Sequence, residues 1–424
     1  MFYDLWQETV RKHGAELALW DPAGGRRWRF RELARLVESS EAYTQTIAYP
    51  QGNGMEFLLT VLRAWRAEAV VCPLEPDQTR PAVPPPPGGC KHLKQTSATS
   101  GVARMVALTE EQLAADAEDI VQTMGLRPEW PNLGAISMAH SYGFSNLVLP
   151  LLLHGIPLIL APSALPEIVR RAAAKQSSLT LAGVPALWRA WHEAAAIPAN
   201  VVLAISAGAP LSIELEQAVH AASGLKIHNF YGSSECGGIA YDETSAPRRK
   251  EGLAGRAMRN VDLAIGGEGC LEVRGGAVAE TYWPVPEESL RNGRFQTSDL
   301  AEIRNKEVYL LGRVGDLINV AGRKVSPGTI EQALRAHPAV KECLVFGVAD
   351  SRGERADRIV ACVVSSGLKE AEPLRQFLLR GLPAWQVPRD WWFVDSLSAN
   401  NRGKISRAEW RQQYASRRVK RGRG

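Results

Sequence analysis

The chain has little cysteine, six residues in 424, and none of them forms a C-x-x-C pair. Cys72, Cys90, Cys236, Cys270, Cys343 and Cys362 are scattered. That spacing argues against a zinc site and a disulfide framework, and it fits a reducing, cytoplasmic setting. Excess charge is scarce as well: the net charge is only +5, which gives no reason to expect a nucleic-acid partner. The basic stretch "SRRVKRGRG" is expected to be a solvated, frayed tail. "MFYDLWQETVRKHG" is charged throughout and lacks the apolar segment of a secretory signal. The most apolar run, "LVLPLLLHGIPLILA", is broken by His154, Gly155 and prolines. It is too short to cross a bilayer and is expected to be buried core. A Walker A loop, G-x-x-x-x-G-K-[ST], is missing too.

What is present is ample apolar material, 45% of the residues, in a chain too long for one core, so at least two domains are expected. "RFRELARLVESSEAY" has helical spacing, and "MEFLLTVLRAWRAEAVVCPL" reads as a helix followed by a buried strand. "PAVPPPPGG" can only be an exposed connection. Beyond it, the apolar runs "LGAISMAH", "IPLILA", "LTLAGVP" and "VVLAISAGA" alternate with amphipathic helices in "LPEIVRRAAAKQ", "PALWRAWHEAA" and "IELEQAVHAAS". That alternation predicts an α/β fold, a parallel sheet covered by helices. From about Gly252 the strands become short and Gly-punctuated, a small β-rich module. After Gly312 a helix, two strands and a further helix predict a compact α+β domain.

Several stretches can carry chemistry. "TSATSG" (Thr96 to Gly101) offers hydroxyls and unhindered N–H groups that can surround phosphate oxygens, though it reads equally well as a plain Ser/Thr connection. "NFYGSSECGG" offers a tyrosine to stack on a purine and Glu235 as an oxygen ligand for Mg²⁺; the plainer alternative is a strand-to-loop turn with a surface glutamate. "QTSDLAEI" places Asp299 at the end of a strand, where a carboxylate can accept both hydroxyls of a ribose. Arg313 stands between two predicted units and also suits a salt bridge. Lys404, in the polar loop "NNRGKISRAEW", would by itself be a solvated lysine.

The order of these motifs is more specific than any one of them. "TSATSG", "AHSYG", "SAGAPL", "YGSSE", "TSDL", "GRVGDLINVAGRKV", "LPAWQVP" and "NRGKISR" follow one another as in a single family, over nearly the whole chain. The sequence resembles the AMP-forming acyl-CoA synthetases of the adenylate-forming superfamily. The resemblance implies a large N-terminal domain (1–314) of parallel and mixed sheets and a small mobile C-terminal lid (315–424). It implies that Thr96, Ser97, Thr99, Ser100 and Gly101 grip the β- and γ-phosphates of ATP, with Arg104 where the family has a lysine. Both side chains are cationic, so a lysine at 104 is expected to serve as well. Ala98, Ala103 and Met105 depart from the family's Gly, Pro and Gly.

By the same resemblance Gly208, Ala209, Pro210, Asn229, Tyr231 and Gly232 line the adenine, and Ser234 lies near the α-phosphate. Glu235 meets magnesium, Asp299 and Arg313 hold the ribose, and Lys404 swings in to the carboxylate and α-phosphate. Gly315 takes the hinge position, and Ala321, Gly322 and Arg323 or Lys324 would meet CoA. The implied reaction makes an acyl-adenylate from a carboxylic acid and Mg·ATP, then passes the acyl group to a thiol. The segment "HSYGFSNL" lacks the aspartate of amino-acid-activating relatives, so a fatty or aryl acid is expected. His140, Tyr142, Gly143, Val184, Ala207 and Gly237 are the expected acyl pocket. CoA is the first choice of acceptor. The phosphopantetheine of an acyl carrier protein is the second, and a non-catalytic acyl-adenylate-binding homologue the third reading.

Overall fold

The computed structural model describes residues 2–82, 84–95, 104–320, 322–349, 357–397 and 406–421, with side chains in the last stretch to 417. The chain divides into two compact units, one comprising 1–266, 272–297 and 303–309, the other 267–271, 298–302 and 310–424.

The large unit is built on strands that are apolar on both faces. Leu179–Gly183 is buried along its whole length, as a parallel strand between helical layers must be. Parallel pairing runs from Leu17–Asp21 through Leu158–Leu160, Asn132–Gly134, Leu179–Gly183 and Val201–Ser206 to Ile227–Ser233. Helices Pro166–Ala173, Pro185–Glu193 and Ile213–Ser223 supply the crossovers. Trp188 and Trp191 are wholly buried in the core beside Leu181, Ala204 and Ile227. A second sheet orders Thr281–Trp283, Met105–Leu108, His92–Gln95, Val70–Val71 and Ile47–Ala48. Helix Glu110–Met124 follows Met105–Leu108 through a capping box, Thr109 with Gln112, and ends at left-handed Gly125.

Three expectations change. The β-rich module is continuous with the parallel sheet, because Gly237–Tyr241 pairs antiparallel with Ile227–Ser233 and then with Leu253–Ala257. "LGAISMAH" is strand only over Asn132–Gly134 and loop beyond it. Asp299 lies in the middle of strand Arg294–Arg304, not at its end. The strand runs on to a two-residue turn, Asn305 and Lys306, both at positive φ, and Glu307–Arg313 returns beside it.

The small unit is α+β. Val340–Ala349 and Asp357–Ser365 pair antiparallel, and Asp390–Phe393 joins in parallel. Alternation sorts the side chains: Val345 and Ala361 face Ile330, Leu334, Leu374 and Leu378, whereas Leu344, Phe346 and Cys362 face Trp410. No helix among the described residues is long and apolar enough to cross a membrane.

Candidate active site

In the large unit the motifs "SAGAPL" and "NFYGSSE" leave adjacent parallel strands at the same end. Ile205 pairs with His228 and Ser206 with Asn229, so Ala207–Pro210 emerges beside Tyr231–Ser234. Crevices beyond the carboxyl ends of parallel strands are where such sheets bind ligands. Gly208, at positive φ, and Pro210 are exposed, and Ala209 is half-buried. Asn229 is buried, and its amide donates to the Leu253 carbonyl at 3.1 Å. Tyr231 and Ser234 are half-buried.

The hairpin that follows requires its glycines. A Cβ on Gly232 would lie 2.6 Å from the Gly237 carbonyl oxygen, and one on Gly237, at φ +64°, would strike the Asp116 carboxylate. The tight turn between them fixes Glu235, whose N–H donates to Ser233 Oγ at 3.2 Å. Glu235 is half-buried and engaged, not the surface glutamate of the plainer reading. Tyr282 donates its hydroxyl to Glu235 Oε1 at 3.0 Å, and the N–H of Ala279 donates to the Glu235 carbonyl at 2.8 Å. Burial, reinforced by the Glu235 charge, pushes the Tyr282 phenol well above its ordinary value, so it stays a donor. Arg104 stacks on the Tyr282 ring, 3.7 Å from its centroid, and pairs with Glu287. Among the described residues no cluster of three His, Cys, Asp or Glu forms a metal cage. Glu235 is a half-buried carboxylate whose charge is felt by buried Lys94 and whose Oε1 accepts from Tyr282, an oxygen ligand of the kind that would suit Mg²⁺ together with phosphate oxygens and water.

Two polar networks underlie these loops, and sequence reasoning missed both. Lys94, the penultimate residue before the Ser/Thr loop, is buried 3.8 Å from Asp116. Asp116 accepts from Ser145 Oγ at 2.5 Å and from the Gly238 N–H at 3.1 Å, joining the helix after "HSYG" to the Glu235 hairpin. Burial lowers the Lys94 pKa, while Asp116 works to raise it. The second network joins Glu216, Lys226, Asp242 and Arg248, all buried. Arg248 donates to the Leu211 and Leu253 carbonyls, each at 2.8 Å, so it braces both "SAGAPL" and the carbonyl that Asn229 uses. No local signal marked Lys94 as buried: in "HLKQ" alternation puts it on the face opposite Leu93.

Of the expected acyl-pocket residues, His140 precedes the short helix Ser141–Gly143 and is half-buried. Tyr142 donates to the Ile205 carbonyl at 3.4 Å, while Val184 lies 3.5 Å from where a Cβ of Gly208 would be. In the small unit Arg313 Nε meets Asp299 Oδ1 at 2.7 Å, so the two expected ribose residues stand together and the salt-bridge alternative for Arg313 also holds. Gly322, at positive φ, donates its N–H to Asn319 Oδ1 at 2.9 Å in the turn between Ile318–Val320 and Arg323–Val325. Thr96, Ser97, Ala98, Thr99, Ser100, Gly101, Ala103, Ala321 and Lys404 lie outside the described residues.

Comparison with known proteins decides the family. The AMP-binding enzyme family matches residues 93–283, and its C-terminal domain matches 329–404. A probable 2-succinylbenzoate–CoA ligase of Mycobacterium tuberculosis is 30% identical over 337 residues, 76% of this chain and 83% of that protein. The chain belongs to the AMP-binding enzymes. As a member of this adenylate-forming superfamily it also aligns with a long-chain-fatty-acid–CoA ligase of Bacillus subtilis, 27% identical over 74% of this chain and 60% of that one. Its fold is that of ATP-bound MatB from Rhodopseudomonas palustris, with TM-score 0.85, 22% identity and coverage of 98% of this chain and 99% of that one.

Proposed function

We propose that this AMP-binding enzyme activates a carboxylic acid with ATP and passes the acyl group to a thiol. The observation that carries the reading is the emergence of "SAGAPL" and "NFYGSSE" side by side at the carboxyl ends of neighbouring strands, with the Glu235 carboxylate held beside them. In the first half-reaction a carboxylate oxygen attacks the α-phosphorus, the bond to the bridging oxygen breaks, and pyrophosphate leaves. In the second, a thiolate attacks the acyl carbon and AMP leaves with the bonding pair. Gly208–Pro210, Asn229, Tyr231 and Gly232 hold the base, Ser234 the α-phosphate, and Asp299 with Arg313 the ribose. The Thr96–Gly101 loop with Arg104 grips the outer phosphates. Bound Mg²⁺, held by Glu235 and phosphate oxygens, supplies charge neutralisation. His140 borders the acid, and Lys404 brings a cation to the reacting carboxylate and α-phosphate. Such catalysis is positioning plus electrostatic stabilisation.

We place the functional boundary at 314/315, with Gly315 as the hinge of a lid that turns between the half-reactions. A Cβ on Gly315 would meet nothing within 4 Å, which leaves the position free of packing constraints. The acid is aryl or fatty, in keeping with relatives named for 2-succinylbenzoate and long-chain fatty acids and with the lack of an acidic residue in "HSYGFSNL". CoA is the acceptor, around Gly322, and six buried free cysteines fit a cytoplasmic location. The test is pyrophosphate release across a panel of acids with CoA or acyl carrier protein. Saturable CoA dependence with an aryl or fatty acid supports the reading. Turnover with carrier protein alone replaces the acceptor, and silence across the panel removes the activity.

A further inference from the structure

The Glu235 carboxylate is held from a segment 47 residues further along the chain. Strand Thr281–Trp283 pairs antiparallel with Met105–Leu108, Trp283 opposite Met105 and Tyr282 opposite Val106. That register brings Tyr282 next to Arg104, the first described residue after the Ser/Thr loop. Tyr282 is only 2% exposed, and its two faces of contact differ. The ring carries the Arg104 guanidinium, and the hydroxyl donates to Glu235 Oε1. The same segment fixes the Glu235 main chain through Ala279. A cation over an aromatic ring is attracted by its quadrupole and draws electron density from it. That strengthens the phenol as a donor to a carboxylate. A planar guanidinium stacks in this way, whereas the compact ammonium of lysine does not reproduce it.

We propose that Tyr282 is a positioning residue that fixes one oxygen of Glu235 for the magnesium–triphosphate complex, and that Arg104 acts on this contact through the Tyr282 ring. With Oε1 restrained by Tyr282, Oε2 would be the oxygen left to meet the ion. This revises the expectation that lysine serves as well at 104: charge is conserved in that substitution, but the flat stack is lost. The inference rests on the reading of Glu235 as the carboxylate that meets Mg²⁺.

The experiment is calorimetry of ATP binding to the full chain with Mg²⁺ and with chelator, the ratio of the two affinities being the Mg²⁺ increment. Glu235→Gln and wild type set its range. Tyr282→Phe keeps the ring and removes the hydroxyl, and it is expected to cut the increment about tenfold, as for a lost hydrogen bond to a charged group. The affinity without Mg²⁺ should stay near wild type. Arg104→Lys keeps the positive charge but loses the planar guanidinium on the ring, and it should cut the increment about threefold. The double variant should lose no more of it than Tyr282→Phe alone, because the arginine acts through the hydroxyl. An unchanged increment in Tyr282→Phe, or losses that multiply in the double variant, overturn the inference. If wild type and Glu235→Gln show the same increment, the reading of Glu235 itself fails.

Discussion

Replacing Glu216 with alanine is expected to cost the large unit about 3–5 kcal/mol, the scale for removing one partner of a buried ion pair. Glu216 is wholly buried and accepts from three donors: Lys226 Nζ at 2.6 Å, Arg248 Nε at 2.7 Å and the Arg248 N–H at 3.0 Å. Its loss leaves two buried cations with Asp242 as the remaining anion of the cluster, which meets Lys226 at 2.7 Å and whose other oxygen accepts from Thr244. Two consequences separate this from a simple loss of packing. Arg248 also braces the Leu211 carbonyl, so ATP affinity should fall along with stability. Replacing Arg248 by methionine in the same chain restores one cation to one anion, so the double variant should be more stable than the two single losses predict, by about 1–3 kcal/mol. Urea unfolding followed by tryptophan fluorescence measures both, since Trp188 and Trp191 lie in the core that contains Leu211 and Leu215. A cost below about 1 kcal/mol, or strict additivity, would refute the view that these charges act as one cluster.

The remaining predictions concern pH, the small unit and the reaction. Burial pushes the Asp119 carboxyl up to about 6, although Asn260 donates to it and works the other way. A raised folded-state value contributes stability below the unfolded value that is lost as the pH rises through the folded one. Asp119→Asn should therefore melt higher than wild type near about pH 8 and lose that gain by about pH 4. In the small unit Arg407 joins Asp316 Oδ2 at 2.9 Å, both Glu331 oxygens at 2.8 Å and the Val345 carbonyl at 3.2 Å. Arg407→Met should cost about 3 kcal/mol by leaving buried Glu331 with only Arg335, at 3.3 Å, and the Val345 N–H as partners among the described residues, measured as a lowered urea midpoint of the small unit's transition in the full chain. Lys404→Ala should slow pyrophosphate release about 10²–10³-fold, the scale for one preorganised charge, yet spare thioester formation from synthetic acyl-adenylate. Equal losses in both half-reactions would contradict a lid that exchanges its working face.

Much of the fold was legible because its elements announce themselves locally. "LTLAGVP" is apolar without alternation, as a strand buried on both faces must be, and "IELEQAVHAAS" is bounded by Ser212 and Gly224 as cap and stop. Asp299 was misplaced along its strand because the turn at Asn305 and Lys306 lies in a segment whose charges read as a strand end. The family was legible through the order of its motifs along the chain. Their supports were not, since each spans a long loop of sequence: Tyr282 reaches back to Glu235, Lys94 to Asp116, Arg248 to Glu216. Nothing in a local window tells a buried lysine with a distant carboxylate from a solvated one. Arg104 illustrates the limit most clearly, because charge is readable from the sequence whereas the ring beneath it is not.

The central claim is that a carboxylate oxygen of the substrate attacks the α-phosphorus of ATP. An acid that supports pyrophosphate release, labelled in both carboxylate oxygens with oxygen-18, tests it in a single turnover followed by mass analysis of the products. The account predicts one labelled oxygen in AMP and none in pyrophosphate. Label in inorganic phosphate with ADP as the nucleotide product, or AMP without label, would contradict it.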